Sequence, residues 1–85
     1  MKDVKIYTLD YCPYCRAAIN FLKDNDIEYR QIKIDEDEKE MRRKLGEMYQ
    51  IKDEVTVPQI IVEGERIGGY TDMMRLVEEG KLTFS

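Results

Sequence analysis

Apolar and polar positions alternate at the start of the chain and then shift to a helical spacing. Over residues 4–9, Val4 and Ile6 alternate with Lys5, and Tyr7 and Thr8 follow, which predicts a strand. Tyr14, Ala18, Phe21 and Leu22, with Ala17 beside them, then recur as the apolar stripe of a helix. Pro13 suits the first turn of that helix, where its missing N–H costs nothing. Asn25 and Asp26 end it. Residues 27–35 are rich in Ile and Tyr and predict a second strand. The acidic run Asp35-Glu36-Asp37-Glu38 opens a second helix at the positive end of its dipole. Met41, Leu45, Met48 and Tyr49 supply its stripe, and Arg42-Arg43-Lys44 follow the acids as the dipole prefers. Gln59 to Val62 reads as a short buried strand. Glu63-Gly64-Glu65 is its turn, and Arg66-Ile67 begins the hairpin partner. Thr71 or Asp72 caps a last helix carrying Met73, Leu76 and Val77, which Gly80 stops.

The predicted order is β-α-β-α-β-β-α. Its first β-α-β unit requires parallel strands and a right-handed crossover, and the later hairpin is antiparallel. The result is an α/β fold, a four-stranded mixed sheet with helices on both faces. No repeat or linker divides the 85 residues, so one domain over residues 1–85 is expected.

Charge and composition narrow the function. A net charge of −4 supplies no basic footprint for nucleic acid and reads mainly as solvated surface. No apolar run is long enough to cross a membrane, and Met1 to Lys5 carries no apolar signal core. A cytoplasmic location, no membrane partner and a monomer are the expectations.

The two cysteines sit three residues apart, in Cys12-Pro13-Tyr14-Cys15. So short a loop gains little stability from cross-linking, so chemistry explains the pair better than structure does. The chain has no histidine, and two thiolates alone cannot complete a four-ligand zinc site, so no metal is assigned. The motif falls where a strand gives way to a helix. Cys12 is then the N-cap, where free N–H groups and the dipole favour a thiolate, which is the nucleophilic form. Cys15 lies one turn in and is more buried. Cys12 is therefore expected to attack and Cys15 to resolve. Tyr14 either covers the site and packs on substrate or belongs to the core.

Two further motifs join this one. Thr56-Val57-Pro58 precedes the strand at Gln59, and Gly68-Gly69-Tyr70-Thr71-Asp72 precedes the last helix. A cis bond is plausible only at Pro13 or Pro58, with an ordinary turn proline as the alternative. The two glycines permit close approach or positive φ. In order and spacing the three motifs resemble the glutaredoxin family, over nearly the whole chain.

The resemblance implies a thioredoxin-like fold and a dithiol oxidoreductase. Glutathione is then the co-substrate, and disulfide-bonded or glutathionylated proteins are the partners. Thr56, Val57 and Pro58 would hold the cysteine part of glutathione, with Val57 pairing as a sheet edge does. Gly69, Tyr70, Thr71 and Asp72 would hold its γ-glutamyl end, Thr71 and Asp72 through N–H groups. The family often has a lysine three residues before the first cysteine, and here that position is Leu9. Arg42 is the expected replacement cation, with Arg16 a lesser candidate. The residues before Thr56 look longer than the family pattern. The alternative is a glutaredoxin-like electron donor reduced by thioredoxin reductase. A cluster carrier bridged by Cys12 and glutathione is a third class, which the stiff Pro13 turn disfavours.

Overall fold

A computed structural model describes all of residues 1–85. Its strands are β1 (Val4–Thr8), β2 (Arg30–Lys33), β3 (Gln59–Val62) and β4 (Glu65–Gly68). Its helices are α1 (Pro13–Asp24), α2 (Glu38–Met48) and α3 (Tyr70–Glu78). The sheet runs β2-β1-β3-β4, with β1 parallel to β2 and the other pairs antiparallel. This is the expected thioredoxin-like arrangement.

Strand alternation sends side chains to two cores. Val4, Ile6, Ile60 and Val62 meet Ala18 and Leu22 of α1 and Met73 of α3 on one face. Tyr7, Leu9 and Ile61 meet Leu45 of α2 on the other, with Ile34 and Val55. The two central strands thus bury both faces.

The second strand is shorter than residues 27–35 suggested. Asp26 adopts φ +55°, and the Ile27 N–H closes back on the Leu22 carbonyl at 2.9 Å. Ile27 therefore belongs to the end of α1 and fills the core instead of pairing with β1. The same closure ends all three helices. Gln50 (φ +53°) and Gly80 (φ +70°) take the left-handed position, while Ile51 donates to Gly46 O and Lys81 to Leu76 O, each at 2.9 Å. Helix α2 starts three residues after the acidic run begins, and Asp35 instead accepts the Asp10 N–H from the loop after β1.

Helix α3 begins at Tyr70, one or two residues ahead of the expected cap. Gly69 is the N-cap, and the Asp72 carboxylate accepts its N–H at 3.0 Å. Gly68 makes this possible. Its φ is +115°, and a Cβ there would lie 2.5 Å from Asp72 Oδ2. The hairpin turn is tighter than Glu63-Gly64-Glu65, for Glu63 and Gly64 alone carry it, both at positive φ. No helix is long and apolar enough to cross a membrane.

Candidate active site

The loop after β1 delivers Cys12 to the start of α1. Its backbone is extended (φ −92°, ψ 114°), and its N–H donates to the Leu9 carbonyl at 3.3 Å. Cys12 Sγ accepts the Cys15 N–H at 3.3 Å, so the sulfur itself caps the helix. Pro13 follows at the first helical position. Cys12 is half-buried, whereas Cys15 is only 2% exposed, and both are free thiols. Burial, then the hydrogen bond with Cys12, pushes the Cys15 thiol up to about 12. The nearby Asp35 carboxylate pushes the same way. One sulfur is thus accessible, accepting the Cys15 N–H and donating to the Val57 carbonyl, and the other is kept protonated.

A loop from α2 brings the second half of the site. The Val57–Pro58 bond is cis, as allowed for at Pro58. The Val57 carbonyl lies 3.6 Å from Cys12 Sγ. Beside these atoms runs a groove of about 520 Å³. Thr56, Val57 and Pro58 form one part of its lining, and Gly69, Tyr70, Thr71 and Asp72 another. The N–H groups of Tyr70, Thr71 and Asp72 precede the first bond of the α3 ladder, Met73 N to Gly69 O. An anion placed there meets free donors and the positive end of the dipole. The arrangement joins a nucleophilic sulfur, an exposed peptide edge and an anion-binding helix start.

Chains of known kind share this fold. The family model described as Glutaredoxin matches residues 4–67. The chain belongs to the glutaredoxin family. It is 34% identical over 82 residues to glutaredoxin 3 of Escherichia coli (strain K12), covering 96% of this chain and 94% of that one. Among solved structures, glutaredoxin 1 from Francisella tularensis complexed with cacodylate superposes with a TM-score of 0.82 at 28% identity, over 93% and 95% of the two chains. A glutaredoxin from Brucella melitensis gives a TM-score of 0.75 at 36% identity, over 95% and 84%.

Most of the glutaredoxin-like site residues come together, Tyr14 among them, and Arg42 does not. Tyr14 is not core. It is 61% exposed on the lip of the groove, its ring 6.4 Å from that of Tyr70. Arg42 does not line the groove. Its Nε donates to Glu38 at 3.1 Å and its Nη1 to the Val55 carbonyl, so it braces the loop ahead of Thr56. Leu9 is buried in the α2-side core beneath the active-site loop. Asp72 caps α3, which commits one of its oxygens to Gly69.

The groove also contains residues that periodicity did not single out. The stretch before Thr56 contributes Ile51, Asp53 and Glu54, and the hairpin contributes Gln59 and Arg66. Strand register carries the signal for the last two, since Arg66 lies opposite Ile61 across the bulged β3–β4 pair. No group of three or more His, Cys, Asp or Glu side chains is placed to hold a metal ion.

Proposed function

We propose that the chain is a glutathione-dependent thiol–disulfide oxidoreductase. The observation that carries this is the asymmetry of the cysteine pair. Cys12 Sγ accepts a helix N–H beside an open groove, and Cys15 is buried and held as a thiol. The Cys12 thiolate attacks the glutathione sulfur of a protein–glutathione disulfide. The S–S bond breaks, the protein thiolate leaves and takes a proton, and Cys12 carries the glutathionyl group. A second glutathione thiolate attacks that glutathionyl sulfur, releasing oxidised glutathione and the Cys12 thiolate. With a protein disulfide, Cys12 forms a mixed disulfide with the target. Cys15 then loses its proton and attacks Cys12 Sγ, which frees the reduced target and leaves the Cys12–Cys15 disulfide.

In the glutathione complex, Val57 pairs with the cysteine part of the tripeptide. The free N–H groups of Thr71 and Asp72 take the γ-glutamyl carboxylate, and Gly69 and Tyr70 line its path. Tyr14 packs against the bound disulfide.

One observation favours a second reading, an electron donor reduced by thioredoxin reductase. Leu9 is apolar and buried, and Arg42 is engaged by Glu38 and Val55, so neither offers a cation to a glycine carboxylate. Reduction of a glutathionylated peptide separates the two, with glutathione as sole donor and glutathione reductase plus NADPH as readout. Saturable, Cys12-dependent turnover supports the first reading. No turnover, with activity restored by thioredoxin reductase, moves the chain to the second.

A further inference from the structure

The groove beside Cys12 has several acids and one cation. Asp53, Glu54 and Asp72 are among its lining residues, and Arg66 is the only basic one. The neighbouring cations are committed elsewhere. Arg42 is held by Glu38 and the Val55 carbonyl, and Arg75 lies 3.6 Å from Asp72 Oδ1. Arg66 makes no ion pair. Its one side-chain contact is Nη1 to Gln59 Oε1, at 3.4 Å.

That contact is directional. Gln59 is 3% exposed, and its Nε2 donates to the Thr56 carbonyl at 2.9 Å. The amide nitrogen is thereby fixed toward the active-site loop, and the oxygen is turned toward Arg66. A buried amide thus steers an exposed guanidinium over the groove, on the strand that leads into the start of α3. An unpaired guanidinium suits a carboxylate, with which it forms a two-pronged contact. Acids around it suit an ammonium close to that carboxylate. A group bearing both on one carbon fits this pattern. A group bearing only a carboxylate meets the acids with nothing to offset them.

We infer that Arg66, oriented by Gln59, joins the N–H groups of Thr71 and Asp72 in receiving the α-carboxylate of a γ-glutamyl group and makes the groove selective for that zwitterionic end. The inference rests on the glutathione reading of the groove. It adds one side-chain cation, Arg66, to the backbone donors already placed at that end.

The test uses the reduced Cys15→Ser protein, in which Cys12 alone reacts. Single-turnover rates are measured against a peptide–glutathione disulfide, and against the same peptide joined to an analogue lacking only the γ-glutamyl α-carboxylate. Arg66→Ala is expected to raise the half-saturating concentration of the glutathionyl substrate about fivefold, the upper range for an exposed charge contact. The maximal rate should stay, and the analogue should be unaffected. Arg66→Lys should recover most of the loss, and Arg66→Gln should not. An unchanged half-saturation in Arg66→Ala, with the glutathionyl substrate still preferred, overturns the role of Arg66 and leaves the glutathione reading standing. Equal losses on both substrates also overturn it, because the contact would then lie elsewhere. A Cys15→Ser protein with Arg66 intact that does not distinguish the substrates also overturns the role of Arg66, while the glutathione reading stands or falls separately by turnover with glutathione as sole donor. Arg66 is exposed, so the variants should unfold at the temperature of their parent.

Discussion

At the scale of residues, the two cysteines differ because one helix turn carries them into different surroundings. Cys12 keeps an open side and a helix N–H, while Cys15 loses water. Cys12→Ser should abolish all exchange. Cys15→Ser should keep deglutathionylation within a few-fold while strongly impairing reduction of a protein disulfide. Parallel assays on a glutathionylated peptide and a disulfide-bonded protein check this, and retained activity in Cys12→Ser would reverse the roles. Cys15 also predicts a pH effect. Its thiol is pushed up from 9.0 to about 12 in the folded protein, so the folded state holds its proton where the unfolded state releases it. Its contribution to stability is complete below pH 9 and is lost as pH rises toward 12. Burial raises Tyr7 as well, so the comparison that isolates the thiol is with Cys15→Ala. Thermal unfolding of the reduced proteins from pH 8 to 11 should show the original protein falling more steeply than the variant. Parallel curves would remove Cys15 from the account.

At the scale of elements, three helices end in the same closure with three different residues. Asp26, Gln50 and Gly80 each sit at positive φ while the next N–H reaches back into the last turn. Only glycine adopts that conformation without cost, and aspartate tolerates it better than glutamine. Gln50→Gly should therefore stabilise the protein by about 0.5–1 kcal/mol. A chemical denaturation midpoint that moves up with unchanged slope would confirm it, and one that falls would show Gln50 to be held by other contacts. This also explains what was legible. Asn25-Asp26 and Gly80 are recognisable stop signals, and α1 and α3 end at them. Glutamine is not such a signal, so nothing in the sequence marked the end of α2. The start of α3 departs from its expected cap for a related reason. Thr71 and Asp72 are good caps by residue type, yet Gly68 and Gly69 bring the chain round early, and Asp72 then caps backwards from inside the helix.

At the scale of the molecule, the ends of the chain close the α1/α3-side core. Leu82 is buried in it, Phe84 packs 6.3 Å from Phe21, and the Lys2 N–H donates to the Phe84 carbonyl at 3.1 Å. Chains of this length have roughly 4–13 kcal/mol of stability, so one core residue is a large share. Leu82→Ala should cost about 2–3 kcal/mol and lower Tm by roughly 10–20 °C. A shift of only a degree or two, read by circular dichroism, would mean that the tail does not belong to the core.

The sequence by itself determined the element order, the two-sided sheet and the placement of Cys12 and Cys15 at a strand-to-helix junction. These depend on local periodicity and on motifs whose residues are near in the chain. Only the tertiary structure decided which side chains share the groove. Arg42 satisfied the composition expected of a binding cation, but helix α2 aims it at Glu38 and the Val55 carbonyl. Tyr14 fitted an apolar stripe, yet its ring stands largely exposed on the lip of the groove, beside Tyr70. Arg66 read only as the start of the hairpin partner strand, until pairing opposite Ile61 let its guanidinium reach Gln59. A side chain's type fixes what it can bond, and its neighbours, brought in from distant parts of the chain, fix what it does bond.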